Sequence, residues 1–182
     1  MSVGEEPQLI QKTWRVCPRC GQPPVHLAAN PFECSSCDYK HHFGPCTAVG
    51  GILSDASGQI LLLIRGRDPG KGKYGIPGGF VDQNETVETA LRREVLEEVS
   101  LKVKGFHFLC SFPNEYHYCG VIVPVTDLFF VIEVETFDGM QAQAGEIEGW
   151  HFCRPGSREL NAMAFESNRK ALEVYLSSPH AS

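Results

Sequence analysis

A group of carboxylates lies on a predicted helix in the middle of the chain. Within the stretch from Gly78 to Leu101, apolar residues recur every four positions from Val87 to Val99. This period predicts a helix with one buried edge, and Thr86 just before it is the predicted N-cap. At about 100° per residue, Glu94, Glu97 and Glu98 project within an arc of about 100° beside that edge. Like charges so close repel one another unless a cation binds them, and hard oxygen ligands suit Mg²⁺ or Mn²⁺. The pattern predicts a divalent-metal site, with a solvated acidic face as the alternative.

The residues around these carboxylates extend the pattern. Gly79 is followed after five residues by Glu85, and after seven more by REVLEEVSL, residues 93–101. This frame resembles the signature of the Nudix hydrolases, and every charged position of that signature is matched. One position differs, because the family usually has Gly where this chain has Ser100. That residue follows the helix, where positive φ favours Gly, so Ser is expected to cost about 1 kcal/mol.

The resemblance implies an α/β fold, a Nudix α/β/α sandwich with a mixed sheet. It also implies metal-dependent hydrolysis of a nucleoside diphosphate linked to another moiety. Arg93 and Glu85 are expected to orient the carboxylates by ion pairing. The expected metal ligands are the Gly79 carbonyl, Glu94, Glu97, Glu98 and a later carboxylate, Glu146 or Glu148. One of these carboxylates is expected to act as the base. For Glu146 and Glu148, a solvated loop is the alternative.

Four cysteines near the start form two CxxC pairs, Cys17 with Cys20 and Cys34 with Cys37, separated by thirteen residues. This spacing predicts a structural zinc site of the ribbon type, with redox-active or unpaired thiols as the alternative. A ribbon directly before a Nudix domain resembles the NADH pyrophosphatase branch of the family. The remaining cysteines, Cys46, Cys110, Cys119 and Cys153, lack this spacing and are predicted to be small core residues. Three histidines are predicted to lie on the surface or in a hinge: His26, His41 and His42.

The branch carries a further motif, SQPWPFPxS, shortly after the Nudix signature. The segment from Ser111 to Tyr116, SFPNEY, starts at the same offset. Ser111 and Pro113 match, whereas Phe112 and Asn114 replace the Gln and Trp. These two replacements are expected to loosen selection for the nicotinamide half. The order of ribbon and Nudix signature predicts a NAD(H)-like adenine dinucleotide as the substrate, cleaved to AMP and a second phosphorylated product. ADP-ribose, FAD or a dinucleoside polyphosphate is the alternative. A non-catalytic nucleotide- or nucleic-acid-binding module is an alternative of another class.

Two further groups are candidates for substrate binding. The basic loop RGRDPGKGK, residues 65–73, lacks Walker A spacing but carries cations for phosphates, with a solvated loop as the alternative. Aromatic side chains near the altered motif offer faces for a base, with core packing as the alternative. The candidate residues are Arg65, Arg67, Lys73, Phe112, Tyr116 and Tyr118.

The order of elements predicts a tail over residues 1–15, a zinc ribbon over 16–42 and a Nudix domain over 43–178. A hairpin is predicted from 49–53 and 60–64, around the turn at 55–58. Further strands are predicted at 106–112, 121–125, 128–134 and 150–153. A closing helix is predicted to start at the N-cap Asn161.

Composition restricts the function classes. The net charge of −6 argues against a general nucleic-acid surface. No apolar run approaches the roughly 18 residues of a membrane span, and no signal peptide is recognisable. Eight cysteines without a secretion signal indicate a reducing compartment, so a cytoplasmic location is expected. The partner is expected to be a small nucleotide, and a homodimer is left open.

Overall fold

The computed structural model describes residues 6–178. In chain order the elements of this part are β1 (Gln8–Leu9), a 3₁₀ turn (Ile10–Lys12), β2 (Phe32–Glu33), β3 (Lys40–His41), β4 (Cys46–Leu53), β5 (Ile60–Arg65), β6 (Tyr74–Gly75), β7 (Gly78–Phe80), α1 (Val87–Val99), β8 (Val103–Tyr118), β9 (Val121–Val134), β10 (Ile147–Cys153), α2 (Ser157–Asn161) and α3 (Glu166–Leu176). The described residues divide into two compact units. The first comprises residues 6–46 with Glu115–Val125, and the second comprises Thr47–Asn114 with residues 126–178.

The second unit is built on two sheets. In one, β9 lies between β8 and β4, and β4 pairs with β7. In the other, β5 lies between β10 and β6, and both pairings are antiparallel. A loop over residues 81–86 joins β7 to α1. The pairing of Gly79 with Val49 places the glycine pair, Gly78 and Gly79, at the edge of the first sheet.

Two apolar cores lie on opposite faces of these strands. Leu61 and Leu63 belong to the core that packs against α1, whereas Ile60 and Leu62 belong to the core that packs against α3. Successive side chains of a strand point to opposite faces, so one short apolar run supplies both cores. Helix α1 covers one face and α3 covers the other. This confirms the predicted α/β/α sandwich.

Helix α1 begins as predicted. Thr86 is the N-cap, and its hydroxyl oxygen accepts a hydrogen bond from the Thr89 N–H at 3.2 Å. The helix ends at Ser100, which adopts the left-handed conformation with φ 59° and ψ 26°. The residue that departs from the family signature therefore occupies a conformation that favours glycine.

Replacing Ser100 with Gly is expected to stabilise the protein by about 0.5–1 kcal/mol. The relief of left-handed strain exceeds the added flexibility of the unfolded chain. Urea denaturation measures the change in the free energy of unfolding. Ser100→Ala is the matched control, because it removes the hydroxyl and keeps the Cβ, so it should give no gain. A Gly variant no more stable than the Ala variant would contradict this account.

The predicted strands are present at their predicted positions, but the predicted hairpin between 49–53 and 60–64 is wrong. The turn at Asp55 forms, and its Oδ1 accepts hydrogen bonds from the N–H groups of Ser57 and Gln59 at 2.8 and 2.9 Å. Beyond a single bridge between Ser54 and Ile60, however, β4 and β5 enter different sheets. The predicted strands over 121–125 and 128–134 are one strand, β9, which forms a hairpin with β8.

Three residue-level predictions are corrected. Asn161 is the last residue of α2, and α3 instead follows Phe165, which makes no side-chain cap. Cys46 and Cys119 are exposed rather than core residues. Cys119 lies with Gly120 in the turn between β8 and β9, where both have positive φ, the conformation of a tight hairpin turn.

The first unit contains a strand where the sequence predicted only a tail. Within the predicted tail, β1 pairs in parallel with Val121 and Ile122 of β9, so the sheet is mixed. Residues 1–5 lie outside the described part. His41 stacks on Trp14, with ring centroids 4.8 Å apart, so it belongs to an aromatic cluster rather than to a hinge. The described residues contain no helix long and apolar enough to cross a membrane.

Candidate active site

Arg93 on α1 connects the predicted charged residues. Its Nε and Nη2 donate to the two carboxylate oxygens of Glu85 at 3.0 and 2.9 Å. Its Nη1 donates to Glu94 at 2.7 Å and to Glu97 at 3.3 Å, and Nη2 also donates to the Phe80 carbonyl at 3.0 Å. These contacts engage all five donors of a guanidinium. One arginine therefore contacts three carboxylates, and its role in orienting metal ligands stays a prediction.

Glu85 is the fixed partner in this group. Besides Arg93, the Asp82 N–H donates to Glu85 Oε2 at 3.1 Å. The hydrogen bonds from Arg93 hold the pKa of the Glu85 carboxyl below its usual value, and the same contacts raise the pKa of Arg93. The pair stays ionised at neutral pH, so it anchors the loop before α1 to the middle of the helix.

Glu98 lies one turn further along α1, in a different environment. Glu98 is 7% exposed, and its Oε2 accepts a hydrogen bond from the Gly78 N–H at 2.9 Å. Burial raises the pKa of the Glu98 carboxyl to about 8, and the negative charges of Glu94 and Glu146 contribute to the shift. A buried carboxylate of this kind is costly to ionise unless a cation compensates it.

The two glycines before α1 allow close approaches, Gly79 to the Glu94 carboxylate and Gly78 to the backbone of β4. A Cβ on Gly79 would lie 2.5 Å from a carboxylate oxygen of Glu94, and a Cβ on Gly78 would overlap the backbone of Val49. Gly78 also has φ 151°, which an L side chain rarely adopts. Burial raises the pKa of Glu94, whereas the Glu97 side chain is half exposed. Sequence reasoning missed the Gly78 N–H as a partner for Glu98.

The donor set fits a hard divalent cation. It consists of oxygen ligands, one of them buried with a raised pKa, and the surplus charge is negative. Within the described residues, no three of these carboxylates come together with ligand atoms within 4.8 Å of one another. The reason is local, because Arg93 holds Glu94 and Glu97 while Gly78 holds Glu98. These side chains would have to rotate for one cation to contact all of them.

The two later candidates are distinguished by their surroundings. The charge of Glu146 contributes to the raised pKa of both Glu94 and Glu98. Glu146 therefore lies within electrostatic range of the α1 carboxylates. It pairs with Arg67, with Nη2 and Oε2 2.7 Å apart. Glu148 pairs with Lys71 at 3.5 Å, and its side chain is half exposed. Glu146 is thus the better candidate for a role in the site.

The basic loop, residues 65–73, reaches the same region through its first residue. Arg65 Nε donates to the Pro69 carbonyl at 2.8 Å, and its guanidinium lies 4.9 Å from the Phe165 ring centroid. The Arg65 charge acts to lower the pKa of Glu98. Lys73 is exposed at the other end of the loop.

A second site lies in the first unit. The Sγ atoms of Cys17, Cys20, Cys34 and Cys37 all lie within 4.8 Å of one another. Cys17 and Cys37 are 3.8 Å apart, and Cys20 and Cys34 are 3.5 Å apart. Four sulfurs bound to zinc at about 2.3 Å in a tetrahedron would be about 3.8 Å apart. A hydrogen bond from the Ser36 N–H lowers the pKa of Cys34 to about 6, which favours the thiolate that a metal binds.

Comparison of the sequence with known protein families identifies the family of this fold. The NUDIX domain family matches residues 44–174, more than two thirds of the chain. The chain belongs to the Nudix family. Within the match lie all the α1 carboxylates, the glycine pair, the basic loop and Glu146. The predicted Nudix resemblance is confirmed, and the cysteine cluster that precedes the domain supports the zinc-ribbon branch.

Named relatives of this Nudix chain include a pyrophosphatase and an NAD-capped RNA hydrolase. It is 36% identical over 110 residues to an ADP-ribose pyrophosphatase of Methanocaldococcus jannaschii, covering 59% of this chain and 64% of the relative. It is 32% identical over 125 residues to the NAD-capped RNA hydrolase NudC of Haemophilus influenzae (strain PittGG), covering 63% of this chain and 46% of the relative. The aligned region thus spans less than two thirds of each relative's length.

Solved Nudix structures share the fold. A Nudix hydrolase from Nitrosomonas europaea superposes with a TM-score of 0.66 at 22% identity, covering 92% of this chain and 93% of that one. The NUDIX domain of Shewanella oneidensis NrtR, in complex with ADP ribose, superposes with a TM-score of 0.57 at 20% identity, covering 72% of this chain and 86% of that one.

The predicted aromatic residues of this Nudix chain have different surroundings. Phe112 packs beside Phe129 in the core that contacts α3, with the Lys170 ammonium above the Phe112 ring. Tyr116 and Tyr118 belong to the other unit and stack on each other, with centroids 6.4 Å apart. Their role in stacking on a base stays a prediction.

Sequence reasoning missed a buried polar group near Phe112. Asp127 of β9 is 7% exposed, and the Ser167 hydroxyl donates to its carboxylate at 2.5 Å. Asn114, which stands where the branch motif has Trp, also hydrogen-bonds Asp127. Burial raises the pKa of Asp127. An Asp in the middle of a mainly apolar strand was the signal available in the sequence.

Proposed function

We propose that this Nudix protein hydrolyses the pyrophosphate linkage of a nucleoside diphosphate derivative, with Mg²⁺ or Mn²⁺ as cofactor. One observation carries the proposal: a buried Glu98 and a partly buried Glu94 lie beside the glycine pair, and Arg93 positions the neighbouring carboxylates. The five carboxylates of this region outnumber the three arginines around them, Arg65, Arg67 and Arg93, and a divalent cation would balance the remaining negative charge. Such a site suits a substrate whose phosphates share the cation.

We assign roles to the residues on the same basis. The proposed cation ligands are the Gly79 carbonyl, Glu94, Glu97, Glu98 and Glu146. When bound, the divalent cation would neutralise diphosphate charge and lower the pKa of an attacking water. Arg93 and Glu85 hold the carboxylates in orientation, and one of these carboxylates takes the proton from the water. Arg65, Arg67 and Lys73 hold the phosphates, and cleavage of a P–O bond leaves two phosphate-ended products.

The substrate we favour is a NAD(H)-like adenine dinucleotide. The ribbon-plus-Nudix order and the relatives named NAD-capped RNA hydrolase support it. ADP-ribose is the second candidate, since the relative that is 36% identical is named ADP-ribose pyrophosphatase. A purely binding module is not favoured, because the carboxylates of the site are all present.

We further propose that the four-cysteine cluster binds Zn²⁺ in a structural role. Its sulfur–sulfur distances support tetrahedral coordination. The domain boundaries at residues 16 and 43, a homodimer and a cytoplasmic location stay predictions.

A substrate panel tests the function. NADH, ADP-ribose, FAD and a diadenosine polyphosphate are incubated with Mg²⁺ and with Mn²⁺, and the products are separated by chromatography. We expect AMP as a common product and no free inorganic phosphate. A Glu98→Gln preparation is the control for contaminating hydrolases. Release of pyrophosphate from nucleoside triphosphates, with no cleavage of any dinucleotide, would contradict the proposed substrate class.

A further inference from the structure

An ion pair joins the basic loop to the turn before β10. Arg67 Nη2 lies 2.7 Å from Glu146 Oε2, and the side chains are 59% and 27% exposed. An exposed pair of this kind contributes little to stability. Its importance lies in its position, because Glu146 is the later carboxylate whose charge reaches Glu94 and Glu98.

The main chain holds loop and turn together independently of this pair. The Gly66 N–H donates to the Glu146 carbonyl at 2.6 Å, and a Cβ on Gly66 would lie only 3.1 Å from that oxygen. The Glu146 N–H donates to the Gln143 carbonyl at 3.3 Å. Both side chains therefore project from a tethered backbone, and they can change partners without movement of the loop.

Arg67 is the arginine that pairs with the Glu146 side chain. All five donors of Arg93 are engaged by Glu85, Glu94, Glu97 and Phe80. Arg65 donates through Nε to the Pro69 carbonyl and lies against Phe165. Without a divalent cation, the Glu146 carboxylate thus pairs with Arg67. A divalent cation on the α1 carboxylates offers Glu146 a stronger partner, and a diphosphate offers Arg67 one.

We propose that Arg67 and Glu146 exchange partners when the site is loaded. In the metal-free protein they pair with each other. In the loaded protein Glu146 turns to the cation and Arg67 binds a phosphate oxygen of the substrate. This inference rests on the proposed function, and it adds that Arg67 opposes cation binding and favours nucleotide binding. No covalent step is involved.

Equilibrium Mn²⁺ binding without nucleotide tests the first half. Free Mn²⁺ is measured by electron paramagnetic resonance in wild type, Arg67→Ala, Glu146→Gln and the double variant. Arg67→Ala should tighten Mn²⁺ binding about two- to fivefold, because Glu146 no longer has to leave a partner. In the Glu146→Gln background the same change should have almost no effect. Equal effects in both backgrounds, or weaker binding in Arg67→Ala, would overturn the proposal.

Lys71→Ala is the matched control for this experiment. It removes one positive charge from the same loop and breaks a similar exposed pair, with Glu148 at 3.5 Å. A general gain in electrostatic attraction for cations would tighten Mn²⁺ binding equally in Lys71→Ala and Arg67→Ala. That equality would overturn the specific exchange. A clear gain for Arg67→Ala alone supports it.

Binding of a non-hydrolysable α,β-methylene analogue of ADP-ribose, at saturating Mn²⁺, tests the second half. Arg67→Ala should weaken this binding about tenfold, through loss of a charge-assisted contact to phosphate. Tighter cation binding with weaker nucleotide binding is a pair of opposite effects that a folding defect does not produce. An unchanged analogue affinity would overturn the phosphate role. Neither measurement needs turnover, so failure of the exchange is separable from failure of the proposed hydrolysis.

Discussion

Replacing Glu98 with Gln is expected to lower turnover by about a thousandfold or more while the fold survives. The change keeps the shape of the side chain and the hydrogen bond from the Gly78 N–H, but it removes the charge of a proposed cation ligand. Several kcal/mol of transition-state stabilisation depend on such a ligand, and each 1.4 kcal/mol corresponds to about tenfold in rate. Single-turnover kinetics on the cleaved dinucleotide measure the loss. Glu97→Gln should lower turnover in the same direction.

The same variant should be more stable than wild type in the absence of divalent cations. Burial raises the folded-state pKa of Glu98 from 4.5 to about 8, so the folded protein keeps a proton that the unfolded chain has released in this interval. Stability of the metal-free protein therefore falls as pH rises from about 4.5 to about 8. Gln cannot ionise, so Glu98→Gln should reduce this slope. Urea denaturation at pH 5 and pH 8 measures it.

Glu88→Gln is the matched control for both measurements. Glu88 lies in the first turn of the same helix and is exposed to solvent. The control therefore makes the same Glu-to-Gln change at an exposed position instead of a buried one. It should keep normal turnover and the wild-type pH slope. If Glu98→Gln retained turnover within threefold of wild type, the metal assignment would be wrong. An unaltered pH slope would show that Glu98 ionises without the cost that its burial implies.

Replacing Cys34 with Ala is expected to abolish zinc binding and to unfold the ribbon. The ribbon core contains few residues besides the cysteines, chiefly Phe32 with Trp14 and Phe43 around it. A core of this size does not fold by itself, so the zinc-binding free energy, about 10–16 kcal/mol, supplies its folding free energy. Metal analysis after gel filtration should find about one zinc per wild-type chain and none in the variant. Hydrogen exchange should show lost protection over residues 17–42.

Cys46→Ala serves as the control, because Cys46 is an exposed cysteine outside the cluster. This variant should keep its zinc and its protection. Chelation of zinc from the wild type should reproduce the effect of Cys34→Ala before it affects the α1 and α3 cores. A zinc-free protein with an equally protected ribbon would contradict the structural role of the metal.

Several features of the fold could be predicted from the sequence, because they depend on interactions between residues that are close together in the chain. The cap at Thr86 and the left-handed Ser100 depend on one or two turns of helix, and both were predicted correctly. Each CxxC pair brings its own two sulfurs together through a tight local turn. The positions of the strands also follow from local patterns of branched and aromatic residues. For the same reason, the sequence alone supported the family resemblance and hence the expected chemistry.

Contacts between distant segments decided the rest. Glu97 and Glu98 are adjacent in sequence, yet Glu97 is half exposed while Glu98 is buried against Gly78, twenty residues away. Glu146 and Glu148 were equal candidates until the fold brought the charge of Glu146 within range of α1. The separation of β4 and β5 into two sheets has the same origin. A strand chooses its partners through hydrogen bonds and packing across the whole unit, which no local pattern in the sequence specifies.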